Sequence, residues 1–277
     1  MENISSLVST VFSLSIFEIV LIVLIALIIA SELGYFIGYN LSRLISKITG
    51  KPFEIGIDDN VATITNSALA LLGLFLGFAF SSALDHFEKN REFVISEASA
   101  ISTVYRFTNI IDDQYKLNMQ KHLQEYTKIR LQFDSGNVDN KDIKAIDNES
   151  QQQMRIIWQD TKGWIVASPD WAYNDTFIQA VNAMAVIEEE RVQNMLNEVP
   201  RGFFIPIALF LLFNGILMGI SLGETAKRHV ILSWGMYLLI ALSVGIIVDL
   251  DRPLKGYINV DQGAIEDLYQ KMTLKQQ

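Results

Sequence analysis

The chain contains no cysteine, and only 5 of its 277 residues are proline. The missing thiols exclude a disulfide framework, a zinc–thiolate centre and a cysteine nucleophile. Basic residues are also few, since 22 Lys and Arg stand against 31 Asp and Glu, which gives a net charge of −9. A strongly basic nucleic-acid binder is therefore excluded, and no nucleic-acid partner is expected.

Recognisable catalytic patterns are absent as well. The sequence has no GxSxG, HExxH, Walker-type GxxxxGK or GxGxxG segment. Its three histidines, His86, His122 and His229, lie on different segments without metal-ligand spacing, so we interpret them as ordinary surface or interface residues. The sequence thus predicts neither an enzyme nor a cofactor nor a metal centre.

Long charge-free runs are what the chain does have. Val61 to Leu84 contains no charged side chain, and Asp85 follows at once. About 20 apolar residues in a helix cross a bilayer core of about 30 Å. Only helices or closed barrels satisfy their backbone hydrogen bonds in lipid. This segment therefore predicts a membrane-spanning helix that ends in water.

Three further segments predict membrane spans. Residues 16–38 are apolar except for Glu18 and Glu32, and residues 202–223 and 230–248 carry no charge. No signal peptide is predicted, because no basic segment precedes the first apolar run. The expected fold is an all-α integral membrane protein whose four spans form two hairpins flanking a helical soluble domain. The expected regions are a first hairpin (1–84), a soluble domain (85–200), a second hairpin (201–250) and a C-terminal segment (251–277).

The soluble domain is predicted to be helical. Residues 85–133 lack proline and glycine and have apolar residues at helical spacing, so the second span is expected to continue into this domain unbroken. Turn-forming residues at 134–142 end that region. A helix is predicted over about 148–162, and another is expected to open at Ser168–Trp171 and reach Leu196.

Glycines recur at four-residue spacing within three spans. Small residues at this spacing let helix backbones approach each other, which is a main source of helix association in lipid. Two interpretations are open: packing within one protomer, or an interface between protomers or a pore wall. The glycines concerned are Gly34, Gly38, Gly73, Gly77, Gly215, Gly219 and Gly223.

The second span also carries an apolar stripe at helical spacing, formed by Leu71, Leu74, Phe75 and Phe78. Such a stripe is usual in plain helix packing. Alternatively, it forms a hydrophobic constriction that gates a pore by dewetting.

Two sets of carboxylates are candidate sites. Glu32 lies within the first span, where an ionisable side chain is costly and marks a functional-site candidate. Its position near the end of the span is also compatible with headgroup level or with a hydrogen bond to a neighbouring helix. Asp249 and Asp251 end the fourth span and are interpreted either as a solvated helix end or as partial ligands of a cation.

Charge favours one orientation without deciding it. Each hairpin has one short loop between its two spans, and both loops contain Lys and Arg. Loops rich in Lys and Arg face the cytoplasm. We therefore expect a multi-pass protein of the cell inner membrane with cytoplasmic short loops and the soluble domain outside. The loop cations are Arg43, Lys47, Lys51, Lys227 and Arg228. The opposing cations are Lys89, Arg91, Arg201, Arg252 and Lys255.

Four sequence blocks resemble a known family. They are SELGYFIG (31–38), LLGLFLGFAFSSALDHFEKNREFVISEASAISTVYR (71–106), VPRGFF (199–204) and VDLDRPLKGYINVDQGAIEDL (248–268). Their order resembles the bacterial bestrophin-like domain family, whose activity is not established. The soluble domain is similar more loosely, through WQD, FIQAVNAM and the Glu190–Arg191 pair.

A more distant resemblance is to bacterial bestrophins, through the FLGF stretch at 75–78, Glu88 with Arg91, and Pro253 after Asp249 and Asp251. Bestrophins are pentameric ion channels with four membrane helices per subunit and an apolar neck on the second. The resemblance therefore implies that Phe75 and Phe78 face a pore. It also implies a cytoplasmic soluble domain, the reverse of the orientation that charge favours.

Two functional hypotheses follow. The first is a homo-oligomeric bestrophin-like ion channel, with inorganic ions and membrane lipid as partners and an apolar neck on the second span. The second is a non-conducting membrane scaffold or envelope-stress sensor whose helical domain binds a protein partner. A carrier is disfavoured, because no pair of glycine- or proline-broken half-helices is evident.

Orientation is testable because the chain has no native cysteine. A cysteine at Ser46 is expected to be shielded from a membrane-impermeant thiol reagent in intact cells, whereas one at Asn140 is expected to be labelled. Lysed cells, in which both must react, provide the control. The reverse pattern would place the soluble domain in the cytoplasm.

Overall fold

The computed structural model describes residues 14–49, 59–134, 140–196, 204–225, 230–252, 254 and 256–274. Several residues discussed above lie outside these ranges: Lys51, Pro200, Arg201, Lys227, Arg228, His229, Pro253 and Lys255.

The described ranges contain α-helices and one short 3-10 helix, and no strand. The α-helices are α1 (Ile16–Thr49), α2 (Asp59–Phe107), α3 (Asp113–Arg130), α4 (Asn140–Ala167), α5 (Asn174–Leu196), α6 (Phe204–Thr225), α7 (Val230–Leu250) and α8 (Gly263–Leu274). The 3-10 helix, Leu131–Asp134, follows α3.

Within the ranges that the structure describes, four helices are long and apolar enough to cross a membrane. The qualifying stretches are Ile16–Asn40 in α1, Thr63–Phe107 in α2, Phe204–Gly223 in α6 and Val230–Leu250 in α7. This confirms the predicted all-α membrane fold with four spans.

Helix α2 is the longest element. Its 49 residues extend about 73 Å at 1.5 Å per residue, more than twice the thickness of a bilayer core of about 30 Å. The charge-free run ends at Leu84, and charged residues follow from Asp85 onward within the same helix. The prediction that the second span continues without a break into the soluble domain is therefore confirmed.

The chain divides into two compact units. The membrane unit comprises residues 1–84 and 199–251, and the helical unit comprises residues 85–198 and 252–277. Within the membrane unit, α1 packs against both α6 and α7. Residues 252–277, treated above as a separate C-terminal segment, belong to the helical unit.

Apolar residues spaced three or four apart form the core of the helical unit, as expected for amphipathic helices. Helix α8 contributes Ile265 and Met272, both fully buried, and α3 packs against it. Gln124 of α3 donates from Nε2 to the carbonyl oxygen of Met272 at 3.0 Å. Other core members are Val94, Ile101, Val104, Met119, Leu123, Tyr126, Met154, Ile157, Trp164, Phe177, Val181 and Met184.

One break in the helical unit differs from the sequence prediction. Residues 85–133 were expected to be helical throughout, but α2 ends at Phe107 and α3 begins at Asp113. The Thr108 hydroxyl donates to the carbonyl oxygen of Tyr105 at 2.7 Å and accepts from Gln120 Nε2 at 2.9 Å. Side chains that bond to local backbone can end a helix without proline or glycine.

The predicted start of the next helix was also wrong. Ser168 to Trp171 does not open it, because α5 begins at Asn174. The Asn174 amide donates to the carbonyl oxygens of Ser168 and Pro169, at 2.8 and 3.1 Å. Trp171 packs edge-on against Trp164, with ring centroids 5.5 Å apart. These contacts hold a turn where the sequence pattern predicted a cap.

A buried charge cluster joins the helices of this unit. Glu97 of α2 contacts Arg130 of α3, with Oε1 and Nε 2.5 Å apart, and accepts a hydrogen bond from Arg191 of α5. All three side chains have no exposed surface. Arg191 also donates to Gln262 Oε1 at 2.5 Å, just before α8. The negative charge of Glu97 thus faces the positive charges of two guanidinium groups.

The cluster has further partners that set its charge state. The Phe133 ring contacts both guanidiniums, with its centroid 4.7 Å from Cζ of Arg130 and 5.1 Å from Cζ of Arg191. Burial alone would raise the pKa of Glu97, but Arg130 and Arg191 outweigh it and lower that pKa. For Glu188, 3.9 Å from Arg130, burial prevails and raises the pKa. The surroundings therefore favour the charged form of Glu97 and disfavour that of Glu188.

Substitution of Glu97 by Gln is expected to destabilise the protein by about 3–5 kcal/mol, because it leaves buried guanidiniums without their counter-charge. Thermal unfolding in detergent measures the loss. The lowered pKa means that the stabilisation by Glu97 is present above the pKa of an unfolded carboxyl. It is lost as the pH falls through the folded value.

Glu125→Gln is the matched control, since Glu125 pairs with Lys128 on the surface. Exposed pairs contribute about 0–1 kcal/mol. Equal effects of the two substitutions would contradict the assignment of a special role to Glu97.

Candidate functional site

The seam between α1 and α6 explains most of the glycines. A Cβ atom on Gly38 would lie 2.6 Å from the carbonyl oxygen of Ile220, and one on Gly223 would lie 2.5 Å from that of Tyr35. Gly34 and Gly219 meet the opposing backbone more closely still, at Ile216 and Ser31. Gly215 faces Ala30, whose Cβ would be 3.0 Å away. These five glycines therefore pack within the protomer.

The two glycines of α2 behave differently. A Cβ atom on Gly73 or Gly77 would meet nothing within 4 Å. Their side of α2 is open in the protomer, so they do not support packing among its own helices.

The four residues of the predicted apolar stripe on α2 do not share one environment. Phe75 packs against Phe210 of α6, with ring centroids 4.9 Å apart. Leu71, Leu74 and Phe78 are exposed, at 46%, 53% and 59%. The buried side of α2 is formed instead by Ala68, Leu72, Ala79 and Ala83. Three of the four candidate neck residues thus have their side chains outside the protomer's own packing.

Asn214 of α6 adds a polar contact between α6 and α2. It is buried, and its side-chain amide donates to the backbone of its own helix at Phe210 O (2.8 Å) and more distantly to Ala68 O of α2 (3.4 Å). The sequence analysis did not single out Asn214. A lone asparagine in an apolar run is the signal that could have identified it, since polar side chains link helices in membranes.

Glu32 lies at a small cavity between α1, α6 and α7. Ser31, Tyr35, Trp234 and Tyr237 line the cavity with it. The Tyr237 hydroxyl donates to Ser31 Oγ at 2.7 Å. Glu32 was predicted from the sequence, but Trp234 and Tyr237 were not, because they come from α7, more than 200 residues further along the chain.

The carboxylates at the end of α7 are not solvated. Asp249 and Asp251 are only 3% and 2% exposed, so the interpretation as a solvated helix end was wrong. Both make polar interactions within the protein. In the described part of the chain, no group of three or more His, Cys, Asp or Glu is arranged to hold a metal ion. Cation binding by this pair stays a prediction.

The chain was compared with known proteins. The family model of the Bestrophin-like domain matches residues 40–265. No curated protein matches the chain.

Solved structures show the same fold. A point mutant of a bacterial bestrophin homologue from Klebsiella pneumoniae superposes with a TM-score of 0.63 at 13% identity, covering 93% of this chain and 98% of that one. A second mutant gives 0.65 at 11% identity, covering 92% and 98%. A structure described as a membrane protein gives 0.63 at 12% identity, covering 94% and 97%.

The two groups of glycines should respond differently to leucine. Gly219→Leu is expected to abolish folded protein, because a side chain there meets the backbone of α1. Gly73→Leu with Gly77→Leu should leave the protomer folded but disrupt association, since these glycines are free to contact another protomer. Yield and mass in detergent, by size exclusion with light scattering, measure both effects. A wild-type monomer would refute the assembly interpretation.

Proposed function

Because the chain belongs to the Bestrophin-like domain family, we propose that it is a homo-oligomeric ion channel whose pore is lined by the exposed apolar face of α2. The observation that supports this proposal most is that three of the four residues of the apolar stripe on α2 are exposed in the protomer. Leu71, Leu74 and Phe78 face away from the protomer, whereas helix packing alone would bury them.

The shape of α2 supports a role in assembly. Its buried strip is narrow and built mostly of alanine, and the side with Gly73 and Gly77 is open. A neighbouring protomer could approach this glycine side closely. The apolar stripe on a different side of the same helix would then be directed toward the centre of a ring.

A ring of apolar side chains blocks ions by expelling water from the passage that it surrounds. Leucine and phenylalanine side chains make a narrow passage unfavourable for water, and a dewetted passage blocks ions. In this proposal Leu71, Leu74 and Phe78 form the constriction. Phe75, packed on Phe210, supports the wall and does not line it.

The proposed partners are other copies of the chain, membrane lipid and inorganic ions. We place the protein in the cell inner membrane, with no enzymatic activity, no cofactor and no nucleic-acid partner. The orientation with cytoplasmic short loops rests on loop charge, and the cysteine-labelling experiment above tests it.

A second candidate function has its own observation. A groove of about 460 Å³ runs between α2 and α5 in the helical unit, lined by residues that include Ile95, Ser99, Ala183 and Ile187. Ile95 is 55% exposed. A non-conducting scaffold would use such a surface to bind a protein partner. Absence of ion flux would favour this alternative.

Phe78→Ala is expected to increase ion flux through liposomes containing the purified protein, because it widens and wets the constriction. The oligomer should persist, since Phe78 makes little packing within the protomer. Phe75→Ala should instead reduce stability, by about 3–5 kcal/mol if it behaves like a buried Phe in a soluble core.

Phe36→Ala is the matched control, since Phe36 is 68% exposed and lies on α1, which forms no part of the proposed constriction or of the proposed interface on α2. Equal leak from the Phe78 and Phe36 variants would indicate a disturbed bilayer and not a neck. No flux from the wild type or from the Phe78 variant would refute the channel.

A further inference from the structure

The cavity beside Glu32 has the chemistry of a cation site. It is small and partly open, with about 30 Å³ of space for the centre of a water-sized sphere, so it accommodates a group of a few atoms. Glu32 is exposed at this cavity, whereas Ser31, Ser233 and Tyr237 are 8%, 5% and 2% exposed. A carboxylate therefore stands where a ligand would enter, and buried hydroxyl groups lie behind it.

The Tyr237 hydroxyl has acceptor capacity for a ligand. Tyr237 uses its proton in the bond to Ser31 Oγ, and a phenol oxygen keeps lone pairs that can accept a hydrogen bond. An alkylammonium group carries three N–H donors and no acceptor. The Tyr237 oxygen and the Glu32 carboxylate therefore complement an ammonium group, and the carboxylate adds the opposite charge.

Aromatic side chains strengthen the preference for a cation. Tyr35 and Trp234 line the same cavity. The faces of aromatic rings attract cations, and tryptophan does so best. A carboxylate beside aromatic walls is a poor environment for an anion, so the ligand class is cationic.

The level of the cavity in the membrane indicates where the cation comes from. Its lining includes Leu222, in the last turn of α6, and Val230, the first residue of α7. Both spans end here, so the cavity lies near headgroup level, where tryptophan and tyrosine are enriched. Trp234 is 52% exposed and would contact the surrounding lipid.

We propose that this cavity binds the primary ammonium group of an aminophospholipid, phosphatidylethanolamine, with Glu32 as its counter-charge. An –NH₃⁺ group can donate hydrogen bonds to Glu32 and to the Tyr237 oxygen, whereas a trimethylammonium group has no N–H to donate. The site is independent of whether the protein conducts ions.

Native mass spectrometry of delipidated, purified protein tests the proposal. Phosphatidylethanolamine is expected to bind about tenfold more tightly than phosphatidylcholine or phosphatidylglycerol of the same acyl chains. Glu32→Gln is expected to weaken phosphatidylethanolamine binding by about tenfold, the effect of losing one hydrogen bond between charged groups. Binding to phosphatidylcholine should not change.

Glu18→Gln is the matched control, because Glu18 lies in the first turn of the same helix and bonds to Ser15. It should leave binding unaltered. Trp234→Leu provides a second variant that is expected to weaken binding, should the Glu32 variant not fold. Melting temperature without added lipid shows whether each variant is intact.

Equal binding of phosphatidylethanolamine and phosphatidylcholine would overturn the proposal. So would full retention of binding by folded Glu32→Gln and Trp234→Leu. Free ethanolamine distinguishes the source of the ammonium group. If it binds as tightly as the lipid, the assignment to a lipid headgroup is wrong and the site takes a soluble amine.

Discussion

Glu97 is the group on which the helical unit depends most. Two fully buried guanidiniums on α3 and α5 contact this carboxylate of α2. Buried charges without partners cost several kcal/mol each. The helices that carry these residues must therefore keep their relative positions. Gln262, bonded to Arg191, adds the segment before α8 to the same cluster. Tyr126 and Phe133 fill the space around the charges.

The membrane unit is held by a different interaction. In lipid there is no hydrophobic gain from bringing helices together, so close backbone packing and polar contacts must provide the attraction. The α1–α6 seam achieves this with glycines that meet the opposing backbone. The hydrogen bond from Tyr237 to Ser31 connects α7 to α1. The described contacts of the membrane part of α2, up to Leu84, are weaker by comparison: one tilted aromatic pair and one long amide contact.

This difference gives the functional proposal its physical basis. The membrane part of α2 buries only a narrow strip made mostly of alanine and is open on its glycine side and its apolar side. Such a helix is suited to contacts that a single protomer does not provide. Oligomer contacts and a pore lining would use those two sides. The Glu32 cavity lies apart from α2, between α1, α6 and α7. A lipid bound there would act on the packing of those three helices and not on the constriction.

The sequence by itself determined the four spans, the unbroken passage of α2 out of the membrane segment and the resemblance to the family. These follow from composition and from helical periodicity, which are local properties. The tertiary structure decided what each repeated feature does. Gly34 and Gly73 look alike in sequence, yet one meets a backbone and the other meets nothing. Phe75 and Phe78 differ in the same way, since Phe75 packs on Phe210 and Phe78 is exposed. Asp249 and Asp251 were interpreted as a possible solvated helix end, yet both are buried. The partners that decide burial come from distant parts of the chain, and no local pattern contains that information.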